Sequence, residues 1–398
     1  MSTNIQKNQI TEGIIWRQLL LFFFPILLGT FFQQLYNTID SVIVGQFVGK
    51  EALAAVGGSS AQIVAFVVGF FTGLSSGASV TIAQFFGAKD SRSANKGLHT
   101  AYAIAAFGGL ILTVSGIILT PFLLEMMNTP ADIVADSAVY LRIYFAGIIF
   151  VLIYNMGSAI LRATGDSKRP LYYLIVCCII NIVLDVLFVI VFHMGVMGVA
   201  VATLIAQAVS AVLVTLKLMR SEGILKLSVK QIRFHGSILK MQLKLGLPTG
   251  FEAILFSITN IAIQSAVNTF GTDTTAAWSA YGKLDAIFWM VSTAFGIAIT
   301  TFVGQNYGAG KMDRVRKSTR VCLLMDFIVS AVLVVFLIAA RFLLFRLFTN
   351  DSHVIEIGCD MLVLITPWYI VYVFIEVIAG ALRGVGNVVV PVAITLLG

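Results

Sequence analysis

The sequence predicts an all-α integral membrane protein made of two pseudo-symmetric six-helix bundles, and three observations carry this prediction. First, 59% of the 398 residues are hydrophobic and only 11% are charged, whereas soluble domains carry about 25% charged residues. Second, apolar runs of about 20 residues, long enough to cross a bilayer, recur along the chain. Third, the second half repeats the first at a separation of 221 residues.

The repeat is visible in short motifs. Gln84-Phe-Phe-Gly-Ala88 recurs as Gln305-Asn-Tyr-Gly-Ala309, and Ala159-Ile-Leu-Arg-Ala163 recurs as Gly380-Ala-Leu-Arg-Gly384. Two related halves with the same apolar stretches are typical of two-lobed transporters. We therefore predict an amino-terminal lobe at 1–220, a cytoplasmic linker at 221–243 and a carboxyl-terminal lobe at 244–398.

Polar turns divide the chain into ten complete spans and the start of an eleventh. The predicted spans are 17–40, 53–83, 97–122, 135–161, 169–192, 196–219, 244–268, 276–304, 319–344 and 355–382, with the eleventh beginning at 388. The eleventh span is cut at Gly398, and the repeat arithmetic predicts that about 43 residues, including a twelfth helix, are missing.

Lysine and arginine are concentrated in alternate turns, with seven of them between Lys217 and Lys244. The positive-inside rule then places the amino terminus and the even-numbered turns in the cytoplasm. Because the basic residues sit in short turns and form no continuous surface, the net charge of +7 does not indicate nucleic-acid binding. Within the linker, residues 224–238 form an amphipathic candidate for the surface of the inner leaflet, and a solvated connector is the favoured alternative.

Asp40 is the first acidic residue predicted at membrane depth, where an ionised side chain costs at least about 2.5 kcal/mol. It shares a polar stripe of the first span with Tyr36 and Asn37. A carboxylate that snorkels from the helix end is the alternative reading.

Asn181 and Asp185 lie four residues apart, so both project from one face of the fifth span. A carboxylate one turn from an amide can supply oxygen ligands for Na⁺ or a site for a proton. Asn155 and Thr203, on the fourth and sixth spans, can add oxygens or can serve in ordinary hydrogen bonds between helices.

The second half carries its own acidic residues within apolar sequence. Glu252 and Asp285 are candidate contacts for a cationic substrate, and Asp326 reads equally well as a partner for nearby basic groups. Glu376 occupies the position of Asn155 in the repeat.

These patterns together resemble the MATE family of multidrug and toxic compound extrusion transporters, over essentially the whole chain. The resemblance rests on the run from Gln33 to Gly45, the two repeated turns described above and Asn181-x₃-Asp185. It is closest to the bacterial DinF-like and MepA-like branch.

The resemblance implies twelve helices in two lobes and a monomer in the bacterial inner membrane that expels organic cations in exchange for Na⁺ or H⁺, with no other cofactor. It implies a cation-coupling site made by Asp40, Asn155, Asn181, Asp185 and Thr203, of which Asp40, Asn181 and Asp185 would hold Na⁺. The substrate-cavity candidates are Gln34, Tyr36, Asn37, Glu252, Asp285 and Glu376.

Three alternatives were weighed against a multidrug antiporter. A flippase for lipid-linked oligosaccharides needs basic groups for pyrophosphate, whereas the charges predicted within the spans are mainly acidic. An enzyme is disfavoured because the four histidines show no metal-binding spacing. A channel is disfavoured because no segment resembles a selectivity filter.

Overall fold

The computed structural model describes residues 10–397, which form thirteen α-helices and no strand. The helices are α1 (Ile15–Phe47), α2 (Lys50–Gly57), α3 (Ser59–Gly87), α4 (Ser91–Met126), α5 (Val134–Ala163), α6 (Lys168–Asp185), α7 (Gly195–Met219), α8 (Gly236–Asn268), α9 (Thr272–Gly308), α10 (Met312–Arg346), α11 (Ser352–Ile365), α12 (Tyr369–Val385) and α13 (Val389–Leu397).

The predicted fold class and the ten predicted spans are confirmed. Ten helical stretches of the described chain are long and apolar enough to cross a membrane. Helices α2 and α3 form one of these stretches, and α11 and α12 form another around a 3₁₀ turn at Thr366–Trp368. The predicted eleventh start at 388 corresponds to α13.

Polar side chains set two of the helix starts. The Asp90 carboxylate accepts a hydrogen bond from the backbone N–H of Ser93 at 3.0 Å, and this bond lowers the pKa of Asp90. Asp351 accepts from the N–H groups of His353 and Val354 at the start of α11. Such caps satisfy N–H groups that the first turn of a helix leaves without partners.

The chain divides into two compact units whose boundaries fall inside helices. One unit is Leu28–Ile254, and the other joins the described residues up to Leu27 with those from Leu255 onward. Helices α1 and α8 therefore each give their first part to one unit and their second part to the other. The lobe boundaries drawn from the repeat keep both helices whole, and they remain a prediction.

In the unit that includes the described residues up to Leu27, aromatic packing and hydrogen bonds to the backbone hold the first part of α1 in place. The rings of Phe23 and Phe295 stack with centroids 4.0 Å apart. The Arg314 guanidinium donates hydrogen bonds to the carbonyls of Ile10, Glu12 and Gly13. One side chain of α10 thus binds three backbone carbonyls of the segment that precedes α1.

In the unit Leu28–Ile254, α3 and α8 cross at glycines. A Cβ added to Gly73 would overlap the backbone at Gly250, and one added to Gly77 would overlap the backbone at Gly246. Glycines spaced four residues apart on each helix allow this approach, as in small-residue interfaces between membrane helices.

The linker does not form the predicted amphipathic helix over 224–238, so that prediction is wrong. Two 3₁₀ turns, Gly223–Leu225 and Val229–Gln231, precede the start of α8 at Gly236. The reason is that side chains of α4 form hydrogen bonds with backbone groups of the linker, which a continuous helix would pair within itself. Asn95 donates to the carbonyl of Lys226 at 3.2 Å, and the N–H of Ser228 donates to Nε2 of His99 at 3.0 Å.

Substituting Gly77 by alanine should destabilise the detergent-solubilised protein by about 1–3 kcal/mol, because the new methyl group meets backbone that cannot rotate away. Gly69→Ala is the matched control on the same helix, since its Cβ would lie 3.5 Å from the Cβ of Ala253. Thermal unfolding should show a lower midpoint for Gly77→Ala only. Equal midpoints for the two variants would contradict the packing described for α3 and α8.

Acidification should loosen the linker. Partial burial and the charges of Arg233 and Lys96 lower the pKa of His235, and Arg233 Nε donates to Nε2 of His235 at 3.4 Å. A histidine whose pKa is lowered in the packed linker favours that packed state when the ring is neutral. The stability that it contributes declines as the pH falls below the ordinary histidine pKa of about 6.5.

Amide exchange over residues 223–235, corrected for its intrinsic pH dependence, should therefore lose protection between about pH 7.5 and about pH 5. His235→Gln should reduce this pH response, whereas His353→Gln, at a distant exposed histidine, should not. Protection that stays constant over this range would refute the assignment of His235.

Candidate functional site

Four polar side chains meet in the interior of the unit Leu28–Ile254. Asp40 comes from α1, Asn181 and Asp185 from α6, and Thr203 from α7. Their exposed fractions are 7%, 1%, 0% and 7%. Two carboxyl groups are therefore almost completely removed from solvent at one place.

The contacts among these four groups are few and long. Thr203 Oγ1 donates to Asp40 Oδ2 at 3.4 Å, and Asn181 Nδ2 donates to Thr203 Oγ1 at 3.4 Å. The carboxyl groups of Asp40 and Asp185 are near enough to interact electrostatically. Hydrogen bonds of this length lie beyond the usual range of 2.7–3.2 Å, so the cluster is weakly held by its own members.

Four buried oxygens of the cluster find no hydrogen bond among residues 10–397. They are Asp40 Oδ1, Asn181 Oδ1 and both carboxyl oxygens of Asp185. A buried polar atom without a partner costs about 1–3 kcal/mol, and more when charged. Because all four atoms are acceptors, a proton, a cation or a donor such as water would satisfy them.

The local structure of α6 sets the geometry of this cluster. Asn181 and Asp185 lie one turn apart on the same face, and Asp185 is the last residue of regular α-helix. A π-helical segment, Val186–Val191, follows at once, and the N–H of Phe192 reaches the carbonyl of Leu187 at 3.0 Å. Wide turns of this kind occur often at functional sites in helices.

The donor set fits a monovalent cation with oxygen ligands. Two carboxylates, an amide oxygen and a hydroxyl are hard ligands of the kind that Na⁺ accepts, and the same carboxyl pair can share a proton. Among the described residues, no group of three or more His, Cys, Asp or Glu side chains is placed to hold a metal ion. The cluster is therefore unlike a transition-metal centre.

The other site residues predicted for this part of the chain have surroundings that differ from one another. Tyr36 is buried, and its hydroxyl accepts a hydrogen bond from Gln207 Nε2 at 3.2 Å. Gln34 and Asn37 are exposed on α1, and Asn155 is half-buried on α5. No hydrogen bond within the described chain joins Asn155 to the carboxyl pair, so its predicted role stays a prediction.

In the other unit, Asp285 and Glu376 already have partners. Asp285 accepts hydrogen bonds from the Tyr369 hydroxyl and from Trp289 Nε1. Glu376 lies 3.6 Å from Arg383 and accepts from the Tyr372 hydroxyl at 3.3 Å. Both carboxylates are thus compensated by the protein itself, unlike Asp185.

Two further acidic residues remain. Asp326 is fully buried on α10 and accepts from Ser330 at 3.1 Å. Glu252 is half-buried on α8. The predicted roles of Glu252, Asp285 and Glu376 as substrate contacts stay predictions.

Sequence reasoning missed Gln207 and Ser210, which are both buried on α7. They follow Thr203 by four and seven residues, so all three share one helix face. This spacing was visible in the sequence, but neutral polar residues in a span carry less weight than carboxylates.

Comparison with known proteins places these features in a family. The MatE family model matches residues 25–187 and 248–398. The chain is 30% identical over 96% of its length to the probable multidrug resistance protein YoeA of Bacillus subtilis, of which it covers 84%. It is 27% identical over 99% of its length to the probable multidrug resistance protein NorM of Thermotoga maritima, of which it covers 84%.

Solved structures agree on the fold. An outward-facing multidrug resistance MATE transporter superposes with a TM-score of 0.92 at 22% identity, over 99% of this chain and 88% of that one. A transporter of the MOP superfamily from Pyrococcus furiosus superposes with a TM-score of 0.91 at the same identity and coverage. With the family match over most of its length and ten stretches of the described chain long and apolar enough to cross a membrane, this chain is a multi-pass membrane protein that belongs to the MatE family.

Proposed function

We propose that the protein is a secondary active antiporter that exports organic, mostly cationic, drugs and toxic compounds in exchange for Na⁺ or H⁺. The observation that carries this proposal is the buried pair Asp40 and Asp185, of whose four carboxyl oxygens three lack a hydrogen-bond partner among the described residues. A site that is short of positive charge inside a membrane protein is suited to bind and release a cation. The names of the relatives YoeA and NorM support multidrug export.

The coupling follows from the energetics of the pair. With the site empty and both groups ionised, two buried carboxylates repel each other and have few hydrogen bonds, whereas a bound proton or Na⁺ reduces both penalties. If the outward-open and inward-open states differ in how they expose this pair, the ion favours one state. Drug affinity that also differs between the states is then linked to the ion.

The setting proposed for this cycle is the bacterial cytoplasmic membrane, with the amino terminus and the basic turns in the cytoplasm. We propose that the protein acts as a monomer, without enzymatic activity and without a cofactor beyond the coupling ion. Glu252, Asp285 and Glu376, with Gln34, Tyr36 and Asn37, remain the proposed contacts for the drug. Acidic groups at these positions suit cationic cargo better than the pyrophosphate of a lipid-linked oligosaccharide.

Asp40→Asn and Asp185→Asn should each abolish resistance to ethidium in a drug-sensitive bacterium, because an amide cannot supply the charge that the cation requires. Growth in graded ethidium, with protein in the membrane quantified by immunoblot, measures this. Asp132→Asn, at an exposed acidic residue, is the control and should confer full resistance. Full resistance from both site variants would show that the carboxyl pair does not drive export.

Asp185→Asn should also stabilise the purified protein in the absence of Na⁺ at neutral pH. The substitution replaces one of the two buried oxygens that lack partners by an N–H donor beside Asp40 and removes a buried charge, a gain of about 1–3 kcal/mol. Thermal unfolding in detergent measures the change, with Asp132→Asn expected to leave the midpoint unaltered. A lower midpoint for Asp185→Asn would mean that Asp185 holds the fold together and is not kept for ion binding.

A further inference from the structure

Buried polar side chains continue beyond the carboxyl pair, along the faces of three helices. On α7, Gln207 and Ser210 extend the face that begins at Thr203. On α6, Cys177 lies one turn before Asn181, and on α1, Tyr36 lies one turn before Asp40. The exposed fraction of each of these four side chains is 7% or less.

Adjacent members of these faces touch. Gln207 Nε2 donates to the Tyr36 hydroxyl at 3.2 Å. Ser210 Oγ donates to the carbonyl of Gln207 at 2.8 Å, and the Cys177 thiol interacts with the Ser210 hydroxyl. A polar lane two helical turns long thus begins at the carboxyl pair.

A fourth helix prolongs the lane to the turn between α5 and α6. Tyr154 and Ser158 lie one turn apart on α5 and are buried, and the Ser158 hydroxyl has no hydrogen-bond partner among the described residues. Tyr154 also lies near Cys177, and its hydroxyl donates to the carbonyl of Pro170 at 3.0 Å. Pro170 is in the first turn of α6, two residues after the exposed Lys168.

We propose that this lane is the route by which the coupling ion passes between the carboxyl pair and the cytoplasmic turn between α5 and α6. The proposal rests on the antiport function proposed above, and it assigns Gln207, Ser210 and Ser158 to ion passage. These residues are positioning groups for the ion and are separate from the drug contacts.

The physical reason is the cost of an ion or its water in an apolar interior. Between the carboxyl pair and the turn, an unbroken apolar core would exclude water, whereas hydroxyl and amide groups within reach of one another can hold a transient water chain. Such a chain relays a proton and also supplies oxygen ligands to Na⁺.

Gln207→Leu tests this lane in proteoliposomes, because leucine keeps most of the volume and removes the amide. Ethidium transport is measured under an imposed Na⁺ gradient and, separately, under an imposed pH gradient. In the arm that drives the wild-type protein, the rate should fall at least about tenfold, since the ion loses a polar contact on its path.

The ion-dependent change in ethidium affinity, measured by fluorescence anisotropy in detergent, should stay within about twofold of wild type, because the carboxyl pair is intact. Thr215→Val is the matched control on α7. It removes a hydroxyl that faces Tyr102 of α4 at 3.3 Å, outside the lane, and should leave the rate unchanged.

The outcomes distinguish the lane from the antiport proposal. Wild-type rates for Gln207→Leu, with transport lost in Asp185→Asn, would overturn the lane and leave the antiporter standing. Gradient-driven transport that survives in Asp185→Asn would overturn both. If Gln207→Leu is not recovered from membranes, Ser210→Ala and Ser158→Ala decide the question, and wild-type rates in the two would overturn the lane.

Discussion

The Asp40 and Asp185 carboxyl groups are buried together with too few hydrogen-bond donors and no positive charge from the cluster. This is the constraint on which the unit Leu28–Ile254 depends. Both groups are nearly inaccessible to water, and the Thr203 hydroxyl donates to Asp40 only at 3.4 Å. A fold selected for stability alone would satisfy these acceptors or replace them, since a buried carboxylate without a partner destabilises the folded state. The contrast is with the half-buried carboxylate of Asp285, which receives hydrogen bonds from Tyr369 and Trp289.

Helix packing around the pair combines rigid and adaptable parts. Glycines at the crossing of α3 and α8 bring backbones into contact, which leaves little freedom to shift within the unit Leu28–Ile254. The π-helical segment Val186–Val191 immediately follows Asp185, and segments with irregular hydrogen bonding rearrange at lower cost than regular helix. In the proposed cycle, a change in the ion at Asp185 would be transmitted most easily to the end of α6, while the crossing of α3 and α8 stays fixed.

Much of this could be predicted from the sequence, because the bilayer simplifies the problem. Apolar runs of spanning length must be helical, which explains why the ten predicted spans match the structure. The spacing of Asn181 and Asp185 predicts a shared face on any helix. The linker was mispredicted because its conformation depends on Asn95 and His99, more than 120 residues away in the sequence. The convergence of Thr203 on Asp40 likewise depends on packing between helices, which periodicity does not encode.

The central claim is that a cation bound at the carboxyl pair drives export, and the most direct measurement is ethidium transport by the full-length protein in proteoliposomes of defined orientation. An Na⁺ gradient and a pH gradient are imposed in turn on wild-type and Asp185→Asn vesicles. The account predicts that one of the two gradients accelerates wild-type transport several-fold and that neither accelerates transport by the variant. Wild-type transport that is indifferent to both gradients, or a variant that responds as the wild type does, would contradict it.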